Sequence, residues 1–334
     1  MEFFRLVVTR IIQFILVNFL GISVTFLLPR LTPVDPINSL VANMVEFGDD
    51  RDPEAIEELI KTLKNLYGLE GTIYEQYLSF WVNLFKGDLG PSMTYFPTPV
   101  VEIIIDALPW TVGLMLTSIT ISFIVSNYIG TYSGYFEERK SSHILSSLAM
   151  VIYPIPHYIL SLIILILFVF IWPVFPMLGG ISVGQELTLS FEVIGDIIFH
   201  AFLPALALIL HGIGGGFLVT RALSSGARSS DYVTYAEAGG LSSYVIYKQY
   251  VMKNIMLPRY TWLAMSIGNV FSGAVIIEYV FSYPGIGQVL YNATIEGDFN
   301  LMLGITIFSI VAVSFATLIL DLIYPLLDPR IKFK

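Results

Sequence analysis

Six long apolar stretches constrain this chain more than any other feature of its sequence. They lie approximately at residues 6–28, 108–132, 144–172, 199–220, 260–281 and 301–326. A bilayer core of ~30 Å requires about 20 apolar residues in helical conformation, and each stretch reaches that length. We therefore predict an all-α integral membrane protein with six transmembrane helices. The composition agrees, since 13% of the residues are charged, against about 25% in soluble domains.

The distribution of basic residues predicts how the chain is oriented. Twelve of the 17 Lys and Arg fall in segments on the same side as the N-terminus, and the other five lie in one long loop on the opposite side. Cytoplasmic segments carry the excess of Lys and Arg, so we expect both termini in the cytoplasm. The first stretch is longer than the ~7–15 apolar residues of a signal peptide and lacks a small-residue cleavage site, so we interpret it as a retained anchor.

The charges exclude some classes of function. The formal net charge is −9, and eighteen of the 26 Asp and Glu fall in segments predicted outside. A nucleic-acid partner is excluded because phosphate binding needs surplus Lys and Arg. The chain has no Cys and four His, so we predict no disulfide, no Cys nucleophile and no metal site. We expect the acidic outer side to attract a partner with basic patches.

The segment between the first two stretches, about residues 29–107, is too long for a simple connection. Asp52-Pro53-Glu54 predicts the start of a helix and Gly68 its end. Apolar residues recur at helical spacing between them, namely Ile56, Leu59, Ile60, Leu63 and Leu66. A second amphipathic helix is predicted to carry Tyr74, Tyr77, Leu78, Trp81 and Phe85 on one face. This face either lies on the outer membrane surface or packs against the transmembrane helices.

A second informative loop, residues 231–258, lies on the predicted cytoplasmic side between the fourth and fifth stretches. Asp231 can cap a short helix, and the glycine pair at 239–240 permits a sharp reversal of the chain. The serines that follow can cap a second helix, which is predicted to end before Pro258. Two short helices with a nearly uncharged tip suit insertion into a groove of a partner protein. The alternative is an interfacial helix pair that only shapes the bundle.

Polar residues inside apolar stretches are candidates for a translocation pathway, because such residues generally face the protein interior. The main candidates are His211, Asn269, Ser272 and Glu278, with Asn127 and His157 behind them. For Glu278 the alternative is a structural cap on the adjacent Tyr283-Pro284-Gly285 turn. For His211, the neighbouring glycines indicate either a close helix crossing or a hinge.

The loop at 231–258 resembles the "EAA" coupling loop of permeases in binding-protein-dependent ABC importers, in the longer form of the dipeptide and oligopeptide subfamily. The matching strings are Asp231-Tyr-Val, Ala236-Glu-Ala-Gly-Gly-Leu and Asn254-Ile-Met-Leu-Pro. Other parts of the chain also resemble the family, including Arg30-Leu-Thr-Pro-Val-Asp-Pro36, Gly87-Asp-Leu-Gly90, Val280-Phe-Ser-Tyr-Pro-Gly-Ile-Gly287 and Leu327-Asp-Pro-Arg-Ile331. The chain departs from the general motif at Thr234 and Tyr235, and from the peptide subfamily at Gly239.

The resemblance implies a translocation subunit, not an enzyme, in the inner membrane of a prokaryote. It implies an ATP-driven importer of small peptides or oligosaccharides, which an extracytoplasmic binding protein hands over. The implied partners are a second similar permease and two cytoplasmic ABC ATPases. No Gly-x-x-x-x-Gly-Lys-Ser/Thr phosphate loop occurs in the sequence, so ATP and magnesium are expected in the ATPase subunits, and no cofactor on this chain. An ion-coupled secondary transporter is the alternative.

The resemblance also assigns residues and regions. The residues expected to couple to the ATPase are Asp231, Thr234, Tyr235, Ala236, Glu237, Ala238, Gly239, Gly240 and Leu241. Residues 1–28 would form the cytoplasmic N-terminus and first span, residues 29–107 an extracytoplasmic scaffold loop, and residues 108–334 a five-helix transporter core.

Overall fold

The computed structural model describes residues 2–31, 37, 41, 53–188, 190–272 and 274–327. This part of the chain is helical apart from turns and one isolated bridge between Pro91 and Pro99. The helices are α1 (Glu2–Arg30), α2 (Pro53–Leu66), α3 (Ile73–Phe85), α4 (Val100–Tyr135), α5 (Lys140–Ile152), α6 (His157–Leu165), α7 (Phe191–Arg228), α8 (Asp231–Ala238), α9 (Ser243–Val245), α10 (Met252–Gly268), α11 (Val275–Val280), α12 (Ile286–Glu296) and α13 (Phe299–Leu327). The prediction of an all-α membrane protein is confirmed.

Among the residues that the structure describes, four helices are long and apolar enough to cross a membrane. They are Phe4–Arg30, Val100–Tyr135, Phe191–Arg228 and Phe299–Leu322, which contain the first, second and fourth apolar stretches and most of the sixth. The third stretch is divided between α5 and α6, which continues as a π-helix over Ile166–Ile171. The two parts bend by 96° at a break that contains Pro154 and Pro156. The two prolines account for the break, because proline cannot donate a backbone hydrogen bond and its ring clashes with the preceding helical turn.

The fifth apolar stretch is also interrupted. Helix α10 ends at Gly268, a 3₁₀ turn follows over Asn269–Ser272, and α11 begins at Val275. A continuous span over 260–281 is therefore not present. By length and composition, the described part contains four spans, or five when the bent α5–α6 pair is included.

Contacts divide the chain into two units, and the first comprises Met1–Pro109 and Gln288–Leu318. In this unit α2 begins at Pro53 as predicted, while Asp52 lies outside the described residues. Its predicted end is confirmed by Gly68, which has φ +65°, and by the Leu69 N–H, which donates to the Lys64 carbonyl oxygen at 2.8 Å. The apolar face of α2 packs on Ile37, Val41, Tyr67 and Met93.

Helix α3 packs against the C-terminal half of α1. The Trp81 ring stacks on Phe19 with centroids 5.5 Å apart, and the hydroxyl groups of Tyr77 and Ser23 are hydrogen bonded at 2.6 Å. Two locations were predicted for this helix, the outer membrane surface and the transmembrane helices, and these contacts match the second. The five residues predicted to share one face do so in α3, since they recur at helical spacing within Ile73–Phe85. Three of them are exposed, namely Tyr74, Leu78 and Phe85.

Two polar contacts hold the last helix within the first unit. The Asn18 amide donates to the Ser314 hydroxyl at 2.8 Å, which joins α1 to α13 inside the apolar region. At the beginning of α13, the buried Asp298 caps the helix by accepting a hydrogen bond from the Leu301 N–H at 3.0 Å. Both contacts satisfy polar groups that would be costly in an apolar environment.

The second unit comprises Trp110–Gly287 and Ile319–Lys334. Its main apolar core is formed by α4, α6, α7 and α11, through residues that include Leu114, Leu160, Leu203 and Ile277. Glycines on α7 allow the close approach of neighbouring helices. A Cβ at Gly212 would lie 2.6 Å from the Ser122 Oγ of α4, and a Cβ at Gly215 would lie 2.7 Å from the Tyr153 ring. This geometry is that of a close helix crossing.

Candidate functional site

The loop at 231–258 forms a helical hairpin, in which α8 is followed by a turn and by a long helix. The N-cap of α8 is Ser230, with extended backbone, and not Asp231 as expected. Asp231 is instead the first helical residue, where its carboxylate lies near the positive end of the helix dipole. Ser242 is the N-cap of the second helix. Neither serine caps through its side chain.

The turn of the hairpin depends on Gly240. Its φ is +77°, in the left-handed region that residues with a Cβ adopt at a cost. This conformation lets the Leu241 N–H donate to the Ala236 carbonyl oxygen at 3.2 Å and the Gly240 N–H to the Glu237 carbonyl oxygen at 2.9 Å. The two bonds satisfy the last carbonyl groups of α8 in a Schellman motif. The reversal predicted at the glycine pair is confirmed.

The base of the hairpin is apolar and buried. Val233 and Ala236 of α8 pack on Ile246, Val251 and Ile255 of the second helix, together with Tyr135 and Ala227 of the bundle. Burial raises the pKa of the neighbouring Tyr247, so its phenol stays neutral at physiological pH.

The second helix does not end before Pro258, as was expected. It runs from Ser243 through the π-helical stretch Ile246–Val251 into α10, which ends at Gly268. The proline removes one backbone donor, but Ile255 and Arg259 on either side of it are buried. Their side-chain contacts therefore hold the helix across the proline, and the hairpin is continuous with the fifth apolar stretch.

The tip of the hairpin is exposed. Of the nine residues assigned to coupling, Ala236 is buried and the other eight are exposed, namely Asp231, Thr234, Tyr235, Glu237, Ala238, Gly239, Gly240 and Leu241. Tyr235 is 74% exposed and Tyr244 is 64% exposed. Large aromatic side chains at such exposure are typical of surfaces that bind another protein.

His211 and His157 lie together at the break between α5 and α6. Their ring centroids are 5.5 Å apart, and the Tyr153 ring stacks on His211 with centroids 5.7 Å apart. His157 and Tyr153 are exposed on the surface of this chain. The structure thus brings one main candidate and one secondary candidate into a single cluster beside the broken helix.

Glu278 lies apart from this cluster and is fully buried. Its carboxylate accepts hydrogen bonds from the Thr111 hydroxyl at 2.9 Å and from the Gly287 N–H at 2.6 Å, and the Ile286 N–H donates to the Thr111 hydroxyl oxygen at 2.8 Å. These contacts match the alternative predicted for Glu278, a cap on the adjacent turn. The backbone of Asn269 and Ser272 forms the 3₁₀ turn, and the side chains of both lie outside the described part of the chain.

Sequence reasoning missed Arg259 because it was counted among the charges of a cytoplasmic loop. Its side chain is 1% exposed and its Nε donates to Asn127 Oδ1 at 2.7 Å. The one signal in the sequence is its position directly after Pro258, at the border of an apolar stretch.

These features define a class of protein, a helical membrane protein whose apolar helices carry an exposed hairpin that is continuous with one of them. A family model for the inner membrane component of binding-protein-dependent transport systems matches residues 126–333. The chain belongs to this family. It is therefore a permease subunit of an ABC importer, in which ATP is hydrolysed by separate subunits.

Curated relatives align along almost the whole chain. The oligopeptide transport system permease protein AppB of Bacillus subtilis is 28% identical over 94% of this chain and 95% of its own length. The oligopeptide permease OppB of Haemophilus influenzae is 24% identical over 98% of this chain and 99% of its own. The probable D,D-dipeptide permease DdpB of Escherichia coli is 27% identical over 92% of both. The alternative of an ion-coupled secondary transporter has no support among them.

Proposed function

We propose that this permease imports small peptides delivered by an extracytoplasmic binding protein. The observation that carries the proposal is the alignment of nearly the whole chain with permeases named for oligopeptides and dipeptides. These relatives are named for oligopeptides and dipeptides, so peptides are the substrate class we favour. In this proposal the chain assembles with a second similar permease and two ABC ATPases.

The proposed topology has six spans with both termini in the cytoplasm. The bent α5–α6 pair serves as the third span, and α10 with the 3₁₀ turn and α11 serves as the fifth. Interrupted helices are tolerated at membrane depth where the freed backbone groups are buried in protein or line a cavity. The positive-inside distribution of the Lys and Arg residues supports the orientation.

Coupling to the ATPase is proposed for the exposed tip of the hairpin, with Tyr235 and Leu241 inserted into a groove of that subunit. Since Val233 and Ala236 are buried against the second helix, a displacement of α8 also moves that helix. The helix continues to Gly268 inside the apolar region, so it acts as a lever that transmits closure of the ATPases to the bundle.

The translocation pathway is proposed to pass the cluster of Tyr153, His157 and His211. Ionisable side chains in a membrane face the interior of an assembly or a water-filled path, because contact with lipid is costly. His157 is exposed on the isolated chain, so the surface around it is expected to face the partner permease and the substrate. Asn269 and Ser272 remain proposed pathway residues, and Glu278 is better explained as an anchor.

Peptide uptake by the complete transporter in proteoliposomes tests the proposal. Uptake should require ATP and the binding protein, and should continue when an uncoupler collapses the proton gradient. Gly240→Val should abolish uptake while the complex still assembles, because valine is strained at φ +77°. The matched control is Gly226→Val, since a Cβ there meets no atom within 4 Å. Full uptake by Gly240→Val, or uptake driven by the proton gradient alone, contradicts the proposal.

A further inference from the structure

Helix α3 lies beside the apolar part of the transmembrane helix α1. At one end of their contact, Arg30 Nε donates a hydrogen bond to Gln76 Oε1 at 2.9 Å. Toward the other end, the Trp81 ring stacks on Phe19. Phe19 lies nine residues, or about 13 Å along the helix axis, inside the apolar stretch that ends at Leu28. The order of these contacts shows that the two helices run antiparallel.

Helix α3 has three different faces. The first packs on α1 through the rings of Tyr77, Phe80 and Trp81. The second, which we call the polar face, is exposed and carries Glu75, Ser79 and Asn83. The third, which we call the apolar stripe, is also exposed and carries Tyr74, Leu78, Val82 and Phe85. The side chains of the stripe are between 49% and 84% exposed. A contiguous apolar surface of this kind marks a site that binds a protein or a membrane.

The apolar stripe lies on the same side of the helix pair as an exposed apolar face of α1. Successive residues of a helix are rotated by about 100° around its axis. By this rotation, the stripe lies about 100° from the face of α3 that meets α1. A set of exposed apolar residues on α1 lies about 100° from the face that meets α3, namely Leu20, Val24 and Leu27. Because the helices are antiparallel, the two rotations bring both apolar surfaces to one side, where they are continuous.

We propose that the apolar stripe of α3 is a lipid-binding surface that inserts among the acyl chains of one leaflet beside α1. A protein that covered the stripe would also have to displace lipid from the adjoining face of the transmembrane helix. The polar face keeps α3 at the boundary between acyl chains and headgroups, where an amphipathic helix is stable. Lipid thus holds the segment after α1 to the membrane. The contact depends neither on the transported substrate nor on which leaflet is the outer one.

Spin labelling at single sites tests the contact directly, because the chain has no cysteine of its own. Leu78→Cys and Val82→Cys place a nitroxide in the stripe, Val24→Cys places one on α1, and Ser79→Cys places one on the polar face. The complete transporter, with cysteine-free partner subunits, is measured in lipid nanodiscs by electron paramagnetic resonance. Labels at 78, 82 and 24 should collide more often with oxygen than with a water-soluble nickel chelate, and the label at 79 should show a lower ratio. Labels at 78 and 82 that favour the chelate, or that neither reagent reaches, overturn the proposal.

A pair of neighbouring substitutions tests whether lipid stabilises α3. Val82→Asp places a carboxylate among acyl chains, which is costly, whereas Asn83→Asp places one on the polar face. Both positions are exposed and lie in the last turn of the helix, so the effect of the new charge on the helix itself is matched. Hydrogen exchange over residues 73–85 in nanodiscs should accelerate at least about ten-fold in Val82→Asp and stay unchanged in Asn83→Asp. Equal exchange in the two variants overturns the proposal, and neither measurement involves transport.

Discussion

The hydroxyl group of Ser92 donates a hydrogen bond to the buried carboxylate of Asp298, although 206 residues separate them in the chain. The same carboxylate oxygen accepts from the Thr94 N–H at 3.0 Å, and the other accepts from the Leu301 N–H at 3.0 Å. One acidic side chain thus caps α13 and also fixes the loop that precedes α4. This loop is part of the long segment that the sequence marks as too large for a simple connection.

Ser92→Ala and Asp298→Ala should each destabilise the first unit. We expect about 1–3 kcal/mol for Ser92→Ala, because a buried carboxylate loses a donor. Asp298→Ala should lower the free energy of unfolding by more than Ser92→Ala does, since the cap of α13 is lost as well. The loss in the double variant should be smaller than the sum of the two single losses, because both changes remove the same contact. Denaturant unfolding measures these energies, with Thr62→Ala as control, since Thr62 is exposed and bonds its own helix. Strict additivity contradicts the coupling.

Tyr235→Asp should weaken binding to the ATPase without unfolding the permease. Tyr235 is 74% exposed, so its replacement should change the stability of this chain by about 0.5 kcal/mol or less. An aromatic side chain buried in a groove of the partner contributes much more than this to the free energy of binding. We therefore expect the affinity for the ATPase to fall at least about ten-fold. Surface plasmon resonance with the isolated ATPase measures this. Tyr74→Asp is the matched control, because Tyr74 is 69% exposed on α3. Equal losses in both variants would argue against a specific contact.

The parts of the fold that could be predicted from the sequence are those that depend on local signals. The start of α2 at Pro53, its end at Gly68 and the reversal at Gly240 each depend on the backbone preferences of one or two residues, and all three are present. The continuation of the helix through Pro258 could not be predicted in this way. It depends on the burial of Ile255 and Arg259, which are contacts with distant parts of the chain.

The same distinction applies to the candidate site. The hairpin was found from spacing and glycines, but the roles of buried polar residues depend on partners far away in sequence. Glu278 bonds Thr111 across 167 residues, and Arg259 bonds Asn127 across 132 residues. Nothing in the local sequence distinguishes an acid that anchors a turn from one that contacts a substrate.

Gly285→Ala should disrupt the turn that Glu278 anchors. A Cβ at Gly285 would overlap both Glu278 Oε2 and Thr111 Oγ1, which are themselves hydrogen bonded to the backbone of this region. We expect a loss of about 1–3 kcal/mol, typical of overpacking a buried site. The measurement is the thermal unfolding midpoint of the complex. Gly195→Ala is the control, since a Cβ there meets no atom within 4 Å. Alanine is also favoured over glycine inside a helix by about 0.5–1 kcal/mol. An unchanged midpoint in Gly285→Ala would show that the turn can adjust.

Protonation of Glu75 should loosen the beginning of α3. The Thr72 N–H donates to the Glu75 carboxylate at 2.8 Å and the Thr72 hydroxyl donates to it at 2.9 Å, which lowers the pKa of Glu75 below its ordinary value of 4.5. A lowered pKa means that the capping box contributes its full stability above about pH 4.5 and loses it as the pH falls through the value in the folded state. Hydrogen exchange over residues 72–85, corrected for intrinsic rates, should therefore accelerate at low pH. Glu75→Gln keeps a side-chain acceptor but cannot ionise there, so its corrected exchange should not change with pH. The same acceleration in Glu75→Gln would assign the effect to another group.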